Sequence, residues 1–251
     1  NLTVVSEGPP AGDPVVLVPG LSGCAYGFRN LTPLLHEQGL RTIIIEPLGL
    51  GLSDRTPGAD YTLTAQAERL ATAMDQLQVS GALIVSQGVA TSMALRLALA
   101  RPRLVAGIVS VEGAAAESAA TPTVQSGLKL AKLIAKLGGR RFLRERYEDD
   151  LRAASGDDSW IDTRAVRNYF RGPSRDIQGT LDAFLAMSEQ PEPEPLHPRL
   201  HRIDVPVLVL RGTAEHAGAL DPEEIELLER ELPQVEIRDV PGAGHFIYEE
   251  Q

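Results

Sequence analysis

Short apolar segments alternate with longer amphipathic segments along most of this chain, and this alternation is the strongest constraint on its fold. The short segments are rich in β-branched residues and apolar on both sides, which is typical of strands covered on both faces of a sheet. The longer segments repeat apolar residues at helical spacing. The pattern therefore predicts an α/β protein with a mostly parallel sheet flanked by helices.

Six strands and four helices outside the middle of the chain are predicted in this way. The predicted strands cover residues 14–18, 41–46, 82–85, 105–111, 205–210 and 235–240. The predicted helices cover about residues 26–38, 63–77, 89–100 and 221–232. The last helix has the clearest start, because Asp221 is a suitable N-cap and Pro222 follows it at the first helical position.

The alternation stops between residues 115 and 200, where the chain is helical and polar and ends in the Pro/Glu-rich stretch EQPEPEPLHP. We expect residues 1–114 and 201–251 to form one core and residues 115–200 to form an inserted helical cap. Within the cap, Leu130, Leu133, Ile134 and Leu137 share one predicted helix face. Several basic residues lie off this face, and they indicate either a solvated surface or a lid that docks on an anionic ligand.

Composition narrows the class of partner. A net charge of −10 argues against nucleic acid or an anionic membrane as the main partner, and a single cysteine excludes an internal disulfide. No apolar run approaches the roughly 18 residues of a membrane span. We expect a small-molecule substrate and a cytoplasmic location, with the oligomeric state undetermined.

The chain begins at Asn1 without Met and ends at Gln251 in mid-pattern, so both ends look trimmed and a removed signal peptide stays open.

The stretch SQGVA, residues 86–90, connects a predicted strand to a predicted helix. A strand, a sharp turn and a helix are the setting of a nucleophile elbow, whose pattern is G-x-S-x-G. Small residues, Ser86 and Ala90, hold both flanks of that pattern here. Gly88 stands at the centre, where the nucleophile belongs.

Four stretches in order resemble the α/β-hydrolase superfamily over nearly the whole chain outside the cap. They are VVLVPGLSG (15–23), EPLGLGLSD (46–54), the elbow, and VPVLVLRGTAEH with the later VPGAGHF. The resemblance implies an oxyanion hole formed by the backbone N–H groups of Leu21 and Val89. It also implies that Gly20, Ser22 and Gln87 line the pocket.

The position of the nucleophile follows from counting along the helix after the elbow. Family members commonly have A-L-x-L-A six to ten residues after the nucleophile and Pro near the fourteenth. Counting from Gly88 satisfies all five positions, which are Ala94, Leu95, Leu97, Ala98 and Pro102. The competing register makes Ser86 the nucleophile, but it puts Ile84 where a small residue is needed. Glycine adopts strained turn dihedrals freely, so Gly88 should preserve the fold while removing covalent catalysis.

The resemblance also implies an acid and a base. His245 takes the place of the base, and Glu215 takes the place of the acid that orients it. Glu112 is an alternative acid, because it lies just past the strand at 105–111, where some family members carry theirs. His216 is expected at the surface, and the remaining histidines are expected to be structural or solvated. Cys24 is a rival nucleophile only if His245 reaches it, and a small buried thiol is the simpler interpretation.

The sequence predicts an enzyme that acts on a carbonyl-containing small molecule such as an ester, thioester or lactone. Because the serine is replaced by Gly88, by design or naturally, two alternatives stay open. One is a lyase, cyclase or cofactor-free oxygenase that uses His245 and Glu215 as a dyad. The other is a non-catalytic binder. No metal spacing and no nucleotide motif is visible, so we expect no metal and no cofactor.

Overall fold

The computed structural model describes all residues from 1 to 251, and its centre is a seven-stranded sheet in the order β1-β3-β2-β4-β5-β6-β7. β1 pairs with β3 in the antiparallel sense, and every other pair of neighbours is parallel. The strands are β1 (Thr3–Glu7), β2 (Pro14–Val18), β3 (Arg41–Glu46), β4 (Ala82–Gln87), β5 (Val105–Val111), β6 (Val207–Gly212) and β7 (Val235–Val240). The predicted mostly parallel sheet flanked by helices is confirmed.

Two local differences from the sequence-based prediction have physical causes. The edge strand β1 was missed, because it alternates half-buried and exposed residues and lacks the continuous apolar run of the inner strands. The predicted helix at 26–38 is divided into a 3-10 helix, Ala25–Asn30, and the α-helix α1 (Leu31–Glu37). Pro33 lacks an N–H group, so the α-helical hydrogen bond from residue 33 to the carbonyl of Arg29, inside the 3-10 helix, cannot form.

Helices cover both faces of the sheet. The strands are joined by α1, α2 (Leu63–Gln76), α3 (Ala90–Ala100) and α9 (Pro222–Glu231). The short helix α10 (Ile247–Glu250) follows the last strand. α3 follows β4 directly and is buried along almost its whole length. Asp221 caps α9 in a capping box with Glu224, as its sequence indicates.

Between β5 and β6 the chain forms five further helices. They are α4 (Pro122–Lys136), α5 (Arg140–Ala153), α6 (Thr163–Tyr169), α7 (Arg171–Arg175) and α8 (Ile177–Glu189). α4 has no buried residue, and Leu130, Leu133 and Leu137 are exposed instead of packed. Two of its three lysines turn toward α8, where Lys129 pairs with Glu189 and Lys132 with Asp182. No helix is long and apolar enough to cross a membrane.

The carboxyl ends of five parallel strands bring the predicted site residues to one edge of the sheet. Leu21 lies in the loop after β2, Gly88 follows β4 and Glu112 follows β5. Glu215 lies after β6, next to His216, which was not predicted as a site residue, and His245 lies after β7. In open α/β sheets this edge is the usual place for a ligand.

Candidate active site

Gly88 occupies the sharp turn between β4 and α3. Its φ angle is +55°, in the left-handed region that glycine adopts without strain. Its N–H donates to the carbonyl of Val111 at 2.9 Å, which ties the turn to the end of β5. The residue is buried. This backbone has the sharp, left-handed turn expected of a nucleophile elbow, with no side chain at its apex.

The imidazole of His245 faces Gly88. A Cβ atom added to Gly88 would lie 3.1 Å from Nε2 of His245 and 3.3 Å from its Cε1. The backbone N–H of His245 donates to the carbonyl of Ala154 at 2.8 Å, so the end of α5 helps to hold the histidine loop. A nucleophile at position 88 would therefore stand beside a ring nitrogen able to take its proton.

The two predicted oxyanion donors, Leu21 and Val89, follow the neighbouring strands β2 and β4. Gly20 and Gln87 join their loops, because the N–H of Gly20 donates to Oε1 of Gln87 at 2.8 Å. A Cβ atom on Gly20 would stand 2.6 Å from the carbonyl oxygen of Gln87, so only glycine permits this approach. The N–H groups of Leu21 and Val89 donate to no protein acceptor. They are available to a substrate oxygen.

The helices between β5 and β6 contact the loop after β2 directly. The hydroxyl of Tyr147, on α5, donates to the carbonyl of Ser22 at 2.8 Å. The backbone of Ser22 therefore connects the loop after β2 to the helices between β5 and β6.

Ser86, the rival nucleophile, lies in a buried hydroxyl chain. Its Oγ is 3.0 Å from Oγ1 of Thr91, which is in turn 2.9 Å from Oγ of Ser110. The side chains of all three are fully enclosed between β4, β5 and α3. These contacts give Ser86 a structural role and favour the register centred on Gly88.

The two candidate acids differ sharply in position. Glu215 is exposed and makes no hydrogen bond or ion pair. Glu112 is 2% exposed and has a φ angle of +50°. One oxygen of Glu112 accepts the N–H of Gly212, and the other is 3.3 Å from Nε2 of His216. The carboxylate near His245 is therefore that of Glu112.

His216 was expected at the surface, and that expectation is wrong. Its side chain is completely buried, as is the side chain of Glu112. One nitrogen of His216, one nitrogen of His245 and one oxygen of Glu112 all lie within 4.8 Å of one another. The only sequence signal for this residue was its place in the loop after β6, next to Glu215.

Burial shifts the pKa values of this group. Burial, followed by the proximity of His216, lowers the pKa of His245 to about 4, and the nearby backbone of Gly218 has a smaller, opposite effect. Nδ1 of His245 has no hydrogen-bond partner. Burial also raises the pKa of Glu112, against the N–H of Gly212 and the imidazole of His216. His245 is therefore neutral near pH 7 and can accept a proton.

Cys24 does not provide a substitute nucleophile. Burial, followed by the nearby Glu46 carboxylate, raises the pKa of its thiol to about 12. The thiolate, which is the reactive form, is therefore scarce at neutral pH. The buried thiol packs with Phe28 and other side chains at the start of the 3-10 helix.

The second motif, EPLGLGLSD, has a structural function. Glu46 is buried, and its carboxylate accepts the N–H groups of Ala25 at 2.8 Å and Leu52 at 2.6 Å. A Cβ atom on Gly51 would stand 2.1 Å from the Glu46 carboxyl carbon. The motif thus closes a tight turn that supports the loop after β2.

Two surface cavities lie away from this group. One is lined by Thr64, Arg96 and Arg199, and the other lies at the amino ends of β5, β6 and β7. Neither includes Gly88 or His245, which lie at the carboxyl edge of the sheet. The chemistry of the side chains, and not the size of a cavity, locates the candidate site.

Comparisons with known proteins agree with the fold. A family model described as alpha/beta hydrolase fold matches residues 13–251. The chain is 26% identical over 99% of its length to the putative 2-succinyl-6-hydroxy-2,4-cyclohexadiene-1-carboxylate synthase of Bacillus subtilis, covering 89% of that protein. It is 29% identical over 98% of its length to the magnesium-chelatase 30 kDa subunit of Rhodobacter capsulatus, covering 85% of that protein.

Among solved structures, Cfl2 from Burkholderia cenocepacia superposes with a TM-score of 0.83. It shares 23% identity, and the match covers 100% of this chain and 87% of that one. Haloalkane dehalogenases and diacylglycerol lipases also occur among the relatives of this chain. The names of these relatives cover several reactions, so they indicate an enzyme of one fold family and leave its substrate to the chemistry of the site.

Proposed function

We propose that this chain, which belongs to the α/β-hydrolase fold family, acts on a carbonyl-containing small molecule of the ester, thioester or lactone type. The observation that carries the proposal is the position of His245, whose Nε2 lies 3.1 Å from the Cβ position at Gly88. A base is thus aimed at the nucleophile position of an otherwise complete site.

The reaction does not pass through an acyl-enzyme at residue 88, because glycine has no hydroxyl. A hydroxymethyl group is missing there, and its volume approaches that of a water molecule, about 30 Å³. His245 takes a proton from a water at that point while the water attacks the substrate carbonyl. The N–H groups of Leu21 and Val89 stabilise the developing oxyanion.

Glu112 supports His245 as a positioning residue. Its buried charge lies in the same cluster of side chains and stabilises a positive charge that forms on the ring. Glu215 was predicted for this role, but its exposed position gives it no contact through which to act. The helices between β5 and β6 cover the site and determine its substrate specificity. Tyr147 is one of their contacts with the loop after β2.

The decisive experiment compares the wild type with Gly88→Ser on a panel of activated esters and lactones. We expect slow hydrolysis by the wild type and a gain of about a thousandfold in Gly88→Ser, because the serine restores covalent catalysis. The double variant Gly88→Ser/His245→Gln is the matched control and should lose the gain. If Gly88→Ser is folded, as judged by circular dichroism, and shows no gain, the ester-hydrolase proposal is wrong.

A second function is favoured by one observation. His245 is half-buried and neutral near pH 7, so it is also suited to remove a proton from a substrate C–H or O–H group. A relative named as a synthase matches nearly the whole chain. This function predicts that carbonyl compounds exchange the hydrogen next to the carbonyl with deuterated solvent, and that His245→Gln abolishes the exchange. A non-catalytic binder would show neither exchange nor hydrolysis.

A further inference from the structure

Glu112, His216 and His245 come from three loops at the carboxyl ends of β5, β6 and β7. One nitrogen from each ring and one carboxylate oxygen lie within 4.8 Å of one another. The proposed reaction uses His245 through Nε2 and Glu112 through its charge, and it gives His216 no chemical step. The convergence of the three side chains therefore needs its own explanation.

When the ring of His216 is neutral, no hydrogen is left to form a hydrogen bond between His216 and Glu112. Nδ1 of His216 is 2.7 Å from the carbonyl oxygen of Ala214, which can only accept, so Nδ1 carries the hydrogen. In a neutral ring Nε2 is then an acceptor, and it faces a carboxylate oxygen of Glu112 at 3.3 Å. Two acceptors attract each other only when a proton or a cation lies between them.

His245 adds a third free nitrogen. Its Nε2 faces Gly88, while its Nδ1 is buried and has no hydrogen-bond partner. Buried polar atoms without partners are rare, because each costs roughly 1–3 kcal/mol of lost hydration. A ligand that accepts lone pairs from all three side chains would satisfy these atoms together.

The donor set fits zinc, and so does the one separation that a direct contact defines. Two imidazole nitrogens and one carboxylate oxygen form one of the common ligand sets for Zn²⁺, with bonds of about 2.0–2.2 Å. Two ligands of a tetrahedral ion at such distances stand roughly 3.3–3.5 Å apart. The separation of 3.3 Å between Glu112 and His216 already has this value. Mg²⁺ and Ca²⁺ prefer sites made of oxygen alone, so they fit less well.

We propose that Glu112, His216 and His245 form a binding site for Zn²⁺, with His245 ligating through Nδ1. The proposed reaction does not require this site, but zinc bound there regulates that reaction. A neutral imidazole bound to Zn²⁺ through Nδ1 carries its hydrogen on Nε2, so Nε2 can no longer accept a proton. Zinc therefore switches His245 from a base to a hydrogen-bond donor facing residue 88 and inhibits any reaction that needs the base.

Isothermal titration of metal-stripped protein with zinc chloride tests the site without any activity assay. We expect one Zn²⁺ per chain with micromolar or tighter affinity, unaffected by millimolar Mg²⁺. His216→Ala should weaken binding by about a hundredfold or more, since even loss of an outer partner costs about 10–100-fold. His201→Ala is the matched control, because His201 is exposed and its side chain makes no hydrogen bond or ion pair, and it should bind like the wild type.

Cobalt gives an independent measurement. Co²⁺ bound in a tetrahedral site absorbs strongly in the visible range, and Zn²⁺ should displace it stoichiometrically from the wild type. Glu112→Gln provides a second variant if His216→Ala does not fold, and it should lose the absorption while retaining its circular dichroism. The proposal is overturned if the folded wild type shows no saturable binding. It is equally overturned if folded His216→Ala or Glu112→Gln binds Zn²⁺ as tightly as the wild type.

Discussion

The Nε2 atom of His245 lies 3.1 Å from the point where a Cβ atom on Gly88 would stand. This distance joins the turn after β4 to the loop after β7, and both loops lie at the carboxyl edge of the sheet. Real Cβ atoms rarely come so close to another side chain, so any larger residue at 88 must move the imidazole slightly. The stability of the turn at Gly88 therefore depends on the position of the His245 imidazole.

Gly88→Ala should destabilise the protein. Its φ angle of +55° disfavours any residue with a Cβ atom, and the added methyl group presses on His245. We expect a loss of about 1–3 kcal/mol in the free energy of unfolding in urea. The matched control is Gly127→Ala in α4, where a Cβ atom meets nothing within 4 Å. It should gain up to about 1 kcal/mol, because alanine favours helices. Equal stability of the two variants would contradict the strained turn.

The lowered pKa of His245 predicts a loss of stability in mild acid. Its folded-state pKa of about 4 lies below its ordinary value of 6.5, so the unfolded chain binds more protons between these values. The stability contributed by neutral His245 is therefore complete above pH 6.5 and falls as the pH decreases toward 4. Between pH 7 and pH 5 the wild type should lose about 2 kcal/mol more unfolding free energy than His245→Gln. Parallel pH dependences of wild type and variant would refute the shift.

Cys24 should be unreactive in the folded protein. Burial and a pKa of about 12 leave very little thiolate at neutral pH. Modification by Ellman's reagent should therefore be at least about a thousandfold slower in the native protein than in urea. Rapid labelling under native conditions would show that the thiol is accessible and ionised.

Glu112 and Glu215 can be separated by the same mild substitution. On the substrate of the panel that is turned over fastest, Glu112→Gln should lower kcat by at least about tenfold with little change in KM, because the neutral amide cannot stabilise a charged His245. Glu215→Gln replaces an exposed carboxylate without contacts and should change kcat by less than about twofold. A larger loss in Glu215→Gln would restore Glu215 to the role first predicted for it.

The sequence predicted the parallel sheet because its inner strands are continuous apolar runs that require cover on both faces. Residues within one turn were equally predictable. Gly20, Gln87 and Gly88 are near strand ends, and their local patterns indicate turns. The edge strand β1 was not predictable in this way, because half of its residues face solvent and its pairing with β3 is a long-range contact.

What the sequence alone determined is the mostly parallel sheet of inner strands and the glycine turn between β4 and α3, because both depend on neighbouring residues and on local backbone freedom. Which carboxylate lies near His245 was decided only by the tertiary structure. Glu112, His216 and His245 are separated by more than 100 residues in total, and only the parallel pairing of β5, β6 and β7 aligns the loops that carry them. Burial, which sets the charge of His245 at neutral pH, also exists only after the chain has folded.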